Sequence, residues 1–121
     1  MQFVASHISF SSVEDGWVLA LADSVDGGGS TNILISFGEE GEQDRALGLT
    51  GLFVATNGDT KRGYGLVEKL TFDGEVLTVH GRNGYQNVCV VIGTEMMSAN
   101  EILDVVERCN AANASKPENA V

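Results

Sequence analysis

The chain has 121 residues, 43% of them hydrophobic and 20% charged, which is the composition of one globular domain with a single core. Its formal net charge of −10 excludes the basic surface that a nucleic-acid partner requires. No apolar run approaches the ~20 residues of a membrane-spanning helix, and the N-terminus lacks the basic and apolar regions of a secretory signal. We therefore expect a cytoplasmic protein without nucleic-acid or membrane partners.

The first third of the chain predicts three short strands. Residues 3–10 and 16–22 are separated by the polar turn 11–15, and the second run is apolar on both faces. Residues 23–30 contain three consecutive glycines, which cost too much backbone entropy inside a strand and therefore predict a loop. Residues 31–37 form the third predicted strand.

An acidic segment, residues 39–44, follows the third strand and precedes another predicted strand at 49–56. Its carboxylates crowd one another, so their repulsion requires compensation by water or by a cationic partner. Those carboxylates are Glu39, Glu40, Glu42 and Asp44. Two interpretations stay open, a solvated surface loop or a segment that steers a basic protein partner. The spacing does not match that of the helix–loop–helix calcium site.

The second half predicts a hairpin, one more strand and a helix. Residues 64–71 and 75–79 flank Phe72-Asp73-Gly74, and an Asp-Gly pair between alternating strands is a strong hairpin signal. Residues 86–92 are apolar on both faces, as in a central or helix-covered strand. Ser98-Ala99-Asn100-Glu101 has the form of a capping box. A helical apolar stripe follows it, made of Ile102, Val105, Val106 and Cys109.

These elements predict an α+β fold, a mainly antiparallel sheet of about six or seven strands with one C-terminal helix packed on it. We expect residues 1–110 to form a single β-rich domain. Residues 111–121 are small and polar and contain the only proline, Pro117, so we expect a disordered C-terminal tail.

The sequence contains none of the common catalytic or nucleotide-binding motifs, so it predicts a protein that is not an enzyme and has no cofactor and no metal. One alternative is a small-ligand or metal-binding β-domain that uses His7 and His80 with a carboxylate such as Glu75. The plainer interpretation is that both histidines are partly exposed strand residues.

Cysteine usage favours a reducing compartment. Cys89 lies in an apolar run and Cys109 in the predicted helix, where a reduced cysteine behaves as a small buried hydrophobe. A disulfide between them remains the alternative. Asn113-Ala114-Ser115 matches a glycosylation sequon in form only.

The segment 41–49, the run Tyr64-Gly65-Leu66-Val67 and the hairpin 70–77 resemble the immunity protein 10 family of bacterial polymorphic toxin systems. The similarity covers about residues 31–110. Leu66 stands where a second glycine is common in the family. The individually matched residues are Glu42, Gln43, Asp44, Leu47, Gly48, Tyr64 and Gly65.

The resemblance implies a small cytoplasmic β-rich protein that binds a cognate toxin and blocks it, with no catalysis of its own. We expect that toxin to be basic, because the chain is acidic. An exposed strand edge leaves a homodimer open. The residues expected to contact the partner are Glu39, Glu40, Glu42, Gln43, Asp44 and Tyr64.

Overall fold

The computed structural model of the chain describes residues 1–14, 16–23, 31–38, 51–57, 62–93 and 95–114. In chain order its elements are β1 (Gln2–Val4), β2 (His7–Val13), β3 (Gly16–Ala22), β4 (Asn32–Gly38), β5 (Phe53–Thr56), β6 (Gly63–Tyr64), β7 (Val67–Phe72), β8 (Val76–Gly81), β9 (Val88–Val91) and α1 (Ala99–Ala114).

The nine strands of the described residues form two sheets. A four-stranded sheet has the order β1-β9-β8-β7, and a five-stranded sheet has the order β2-β3-β4-β5-β6. Neighbouring strands are antiparallel, except β1 and β9, which are parallel. The predicted α+β class, mainly antiparallel with one C-terminal helix, is confirmed.

The strands outnumber the six or seven predicted because two expected strands each divide between the sheets. The run 3–10 breaks at Ala5 and Ser6, so β1 joins one sheet and β2 the other. The run 64–71 breaks at Gly65, whose φ of 77° lies in the left-handed region that glycine adopts readily. β6 therefore ends one sheet and β7 begins in the other.

One hydrophobic core joins both sheets and the helix. Inward side chains of the two sheets and the apolar stripe of α1 form a single buried cluster. Its fully buried members include Leu19, Leu21, Ile33, Ile35, Val54, Leu70, Leu77, Val79, Val88, Val90, Ile102 and Cys109. At the rim of the core the Tyr85 hydroxyl donates to Thr56 Oγ1 of β5 at 3.3 Å.

The predicted hairpin and helix cap are both present. β7 pairs with β8 around Asp73 and Gly74, and the Asp73 carboxylate accepts hydrogen bonds from the Glu75 and Val76 amides at 2.9 and 2.7 Å. Those two amides hold the pKa of Asp73 below its usual range. At α1, the Glu101 amide donates to Ser98 Oγ and the Ser98 amide donates to the Glu101 carboxylate, as in a capping box.

Aromatic and basic side chains link α1 to the edge of the five-stranded sheet. Trp17 of β3 stacks on Phe10 of β2 with ring centroids 4.9 Å apart, and the Arg108 guanidinium lies 5.2 Å from the Trp17 ring. Arg108 also forms an ion pair with Asp104 at 2.9 Å. The helix therefore reaches Trp17 of β3 as well as packing against β7.

The cysteines, the sequon and the end of α1 are the remaining features of the second half of the chain. Both cysteines are free, and burial raises the pKa of Cys109 to about 12. Asn113, the asparagine of the sequon, is buried, and its side-chain amide donates to the carbonyls of Val67 and Glu68 in β7. α1 continues to Ala114, four residues past the boundary of 110 expected for the domain, and residues 115–121 of the expected tail lie outside the described residues. No helix among the described residues has the length and apolar character needed to cross a bilayer.

Candidate partner-binding surface

The register of the five-stranded sheet assigns each side chain to one of two faces. Residues directly opposite each other in an antiparallel pair share a face. Leu19 pairs with Ile35 and Ile35 with Val54, and all three are buried in the core. Leu34 pairs with Ala20 and Ala55, so these three residues lie on the opposite side of the sheet, directed away from the core.

We call this side the outer face. Among the residues that the structure describes, it carries no Asp, Glu, Lys or Arg. Its side chains are small, hydroxylic or apolar, and Leu34 and Tyr64 are 37% and 38% exposed. The outer face consists of His7, Ser9, Ser11, Val13, Val18, Ala20, Ala22, Asn32, Leu34, Ser36, Phe53, Ala55 and Tyr64.

Tyr64, one of the predicted partner contacts, is an aromatic anchor on the outer face. It lies directly opposite Phe53 in the pairing of β5 with β6, and the two rings meet edge to face with centroids 5.5 Å apart. Such a pair holds both rings in place, so little side-chain entropy remains to be lost when a partner covers them.

The other predicted contacts, Glu39, Glu40, Glu42, Gln43 and Asp44, lie outside the described residues. Their point of attachment is described, because β4 ends at Gly38 immediately before the acidic segment. Gly38 pairs with Gly16 of β3, and the exposed Glu14 precedes Gly16 at the turn from β2. β4 therefore ends at the end of the sheet where Glu14 lies.

The outer side of the four-stranded sheet has a different character. Lys69, Thr71 and His80 lie there, and Thr71 Oγ1 is 2.8 Å from His80 Nε2. Val4, 65% exposed, is the large apolar residue of its β1 edge. Val76 and Val91 share this side, but Lys69 gives it a charge that the described residues of the other outer face lack. The outer face of the five-stranded sheet is therefore the better candidate for an uncharged contact with another protein.

The structure does not bring the two histidines together. His7 lies on the outer face of the five-stranded sheet, whereas His80 lies on the outward side of the other sheet. Glu75, the carboxylate considered with them, is an exposed residue of the β7–β8 turn. Among the described residues no group of three or more His, Cys, Asp or Glu side chains is placed to hold a metal ion.

The sequence contains one further indication of the outer face. Residues 16–22 and 49–56 are apolar at alternate positions on both sides, which predicts a sheet with two covered faces. In the structure only one of those sides contributes to the core, and Leu34 in the middle of the other is more than a third exposed. Apolar residues on both sides of an uncovered sheet mark a contact surface.

One comparison with known proteins gives a match. A protein-family model described as Immunity protein 10 matches residues 4–95, which run from the end of β1 to beyond β9 and include the whole outer face. No curated protein and no solved structure matches the chain.

Proposed function

Because the chain belongs to the immunity protein 10 family, we propose that it binds a cognate toxin of a bacterial polymorphic toxin system and neutralises it, without chemistry of its own. The single observation that carries this proposal is the family match over residues 4–95. The same proposal places the protein in the cytoplasm, where it protects the cell that contains it.

The outer face supplies the centre of the proposed contact surface. Interface centres are depleted of charge and enriched in aromatic residues, and they are closed to water by the groups around them. The uncharged outer face meets the first condition over its described residues, and the Phe53–Tyr64 pair meets the second. Leu34 lies between Ala20 and Ala55 in the middle of the sheet, where a partner would cover it completely.

The acidic segment supplies the proposed rim. Its carboxylates follow Gly38 at one end of the outer face, where they would attract a basic toxin before contact. Charge of this kind raises the association rate toward about 10⁸ M⁻¹s⁻¹ at low salt, whereas the buried apolar contacts determine how slowly the complex dissociates. The proposal thus assigns the fast association to the acidic segment and the slow dissociation to the outer face.

The chain offers a matched pair of leucines to test the outer face. Leu34 and Leu103 are 37% and 45% exposed, but Leu34 lies on the outer face and Leu103 on the solvent side of α1. With purified toxin and biosensor kinetics, L34Q should raise the dissociation rate about tenfold, while L103Q should leave it unchanged. Equal effects of the two substitutions on the dissociation rate would show that the outer face is not part of the interface.

A second set of variants tests the rim. Replacing Glu39, Glu40, Glu42 and Asp44 by Gln or Ser should slow association and flatten its dependence on salt, with little change in the dissociation rate. E68Q, E75Q, E95Q and E107Q together control for the loss of four negative charges elsewhere, because all four side chains are exposed and none lies on the outer face. Association kinetics that stay the same in the first set would exclude the acidic segment from toxin recognition.

A further inference from the structure

The edges of the two sheets are protected to different degrees. An exposed strand edge presents unpaired N–H and C=O groups, and proteins shorten or cover such edges. The edge strands β1 and β6 have three and two residues, and β7 is covered by side chains of α1. β2 has seven residues, and nothing in the part of the chain that the structure describes pairs with its far side.

The hydrogen bonds of β3 show which residues β2 offers at that edge. Antiparallel backbone bonds alternate, so successive residues direct their N–H and C=O to opposite sides of the strand. The Asp23 N–H donates to the Thr31 carbonyl at 3.0 Å. The backbone N–H and C=O groups of Asp23, and of every second residue before it in β3, therefore point toward β4. The backbone groups of the residues in between point toward β2. In agreement with this, the Ala22 carbonyl accepts a hydrogen bond from the Ser6 amide at 2.8 Å.

The β2 residues that pair with them direct their own backbone N–H and C=O groups toward β3. They are His7, Ser9, Ser11 and Val13, opposite Ala22, Ala20, Val18 and Gly16. The three residues between them, Ile8, Phe10 and Ser12, therefore direct their backbone N–H and C=O away from β3. β2 thus presents a row of three amides and three carbonyls at its open edge.

A groove runs beside this edge. It lies between β2 and the first two turns of α1, encloses about 370 Å³, and is lined by the apolar side chains of Phe10, Met97 and Val105 and the polar side chains of Asn100, Glu101 and Asp104. A strand added to β2 would place every second side chain on the same side of the sheet as Phe10, over this groove.

The charges at the groove determine which kind of strand can be added to β2. Glu101 and Asp104 line it, and Asp104 is only partly compensated by its ion pair with Arg108. β2 itself has no charged residue. A second copy of the chain would bring another formal charge of −10 to an acidic site, whereas lysine or arginine side chains would be attracted to it.

We propose that β2 binds an extended segment of the toxin by strand addition, with apolar and basic side chains of that segment over the groove. The backbone bonds to Ile8, Phe10 and Ser12 hold the segment, and the groove selects its side chains. The identity of the occupant rests on the proposed function, but the open edge and the groove do not. This site is separate from the outer face, because the groove lies on the core side of β2.

A fluorescent peptide of repeating sequence Thr-Val-Thr-Lys serves as the probe, since one of its sides carries valine and lysine in turn. We expect it to bind the wild-type chain by anisotropy, and the version with glutamate in place of lysine to bind at least about tenfold more weakly. S12P removes one outward amide without touching the β3 ladder, because proline is tolerated at an edge. It should weaken binding about tenfold, whereas S12A, which keeps the amide, should not.

D104N and E107Q provide a second pair that does not depend on how S12P folds. Both neutralise an exposed carboxylate of α1, but only Asp104 lines the groove, so only D104N should weaken the lysine peptide, by about threefold. Equal affinity of S12P and S12A, or no binding of the lysine peptide to any variant, would overturn the proposal. A dimer of the free chain that S12P abolishes would also overturn it, because a second copy would then occupy the edge.

The toxin assay separates the two proposals. If S12P and S12A neutralise the toxin equally well and the peptide does not bind, strand addition fails and the proposed function stands. If the peptide results hold but the chain neutralises no toxin, the proposed function fails and β2 remains a peptide-binding edge.

Discussion

Asn110 of α1 binds the backbone of Leu70 in β7 as a neighbouring strand would. Its Oδ1 accepts the Leu70 N–H at 2.9 Å, and its Nδ2 donates to the Leu70 carbonyl at 2.9 Å. One turn later Asn113 donates to the carbonyls of Val67 and Glu68. Two side chains of the helix therefore close the edge of the four-stranded sheet that β7 would otherwise expose.

Replacing Asn110 by Ala should lower the free energy of unfolding by about 1–2 kcal/mol, because it leaves two partly buried backbone groups of Leu70 without partners. N100A is the matched control, since Asn100 is an exposed asparagine of the same helix and its loss should cost nothing or give a small gain in helix propensity. Urea unfolding measures both variants.

The same substitution should expose the β7 edge. We expect N110A to self-associate at concentrations where the wild-type chain and N100A do not, as measured by sedimentation velocity. An equal change of stability in N110A and N100A would show that the bonds of Asn110 to Leu70 do not stabilise the edge.

The capping box predicts a smaller but specific effect at the start of α1. S98A should cost about 1 kcal/mol, because the Glu101 amide loses its acceptor. E101Q should cost less, since an amide oxygen can replace the carboxylate as the acceptor for the Ser98 amide. If E101Q is the more damaging of the two in thermal unfolding, the cap is electrostatic and does not depend on this hydrogen-bond geometry.

The two thiols should react with a disulfide reagent at very different rates. Burial raises the pKa of Cys109 to about 12, so at about pH 8 almost no thiolate forms in the folded protein. Cys89 is partly exposed on β9 and should react first. C89S should abolish the fast phase and C109S should retain it, while two equal rates in the wild-type chain would contradict the packing of α1.

Asp73 predicts a pH dependence of stability. Its pKa is lowered in the folded protein, so its contribution is fully present above the ordinary carboxyl pKa and is lost as the pH falls through the lowered folded-state value. The difference in unfolding free energy between the wild-type chain and D73N should therefore narrow between about pH 5 and about pH 2. A difference that stays constant or widens over that range would show that the turn amides do not favour the charged form.

Local signals in the sequence predicted the local structure well. The Asp73-Gly74 turn, the Ser98 cap and the α+β class depend on residues within a few positions of one another, and all are present in the structure. The passage from one sheet to the other at Ala5 and Ser6 was not predictable in this way. The inward side chains change from Phe3 and Ala5 to Ile8 and Phe10 across it, so the alternation shifts by one residue. Val4 beside Ala5 is also apolar and hides that shift in the sequence.

The candidate site was predictable only in part, for a related reason. Tyr64 was identified as a partner contact, but Phe53, its pairing neighbour, and Leu34 were predicted only as strand residues without a role in binding. Which side of a strand is covered depends on the packing of the two sheets, and so does the bond of Asn110 to a residue 40 positions away. Neither the covered side of a strand nor this long-range bond can be predicted from a short stretch of the sequence.

The most direct test of the central claim is growth of a bacterial host that expresses the toxin captured by the tagged chain from its own source cells. Capture at low and at ~0.5 M salt selects a basic partner, since salt screens exposed charge pairs. We predict that co-expression of the chain restores growth of the host, and that the variant lacking the four carboxylates of the acidic segment restores it less well. Arrest of growth to the same extent with and without the chain would contradict its role as an immunity protein.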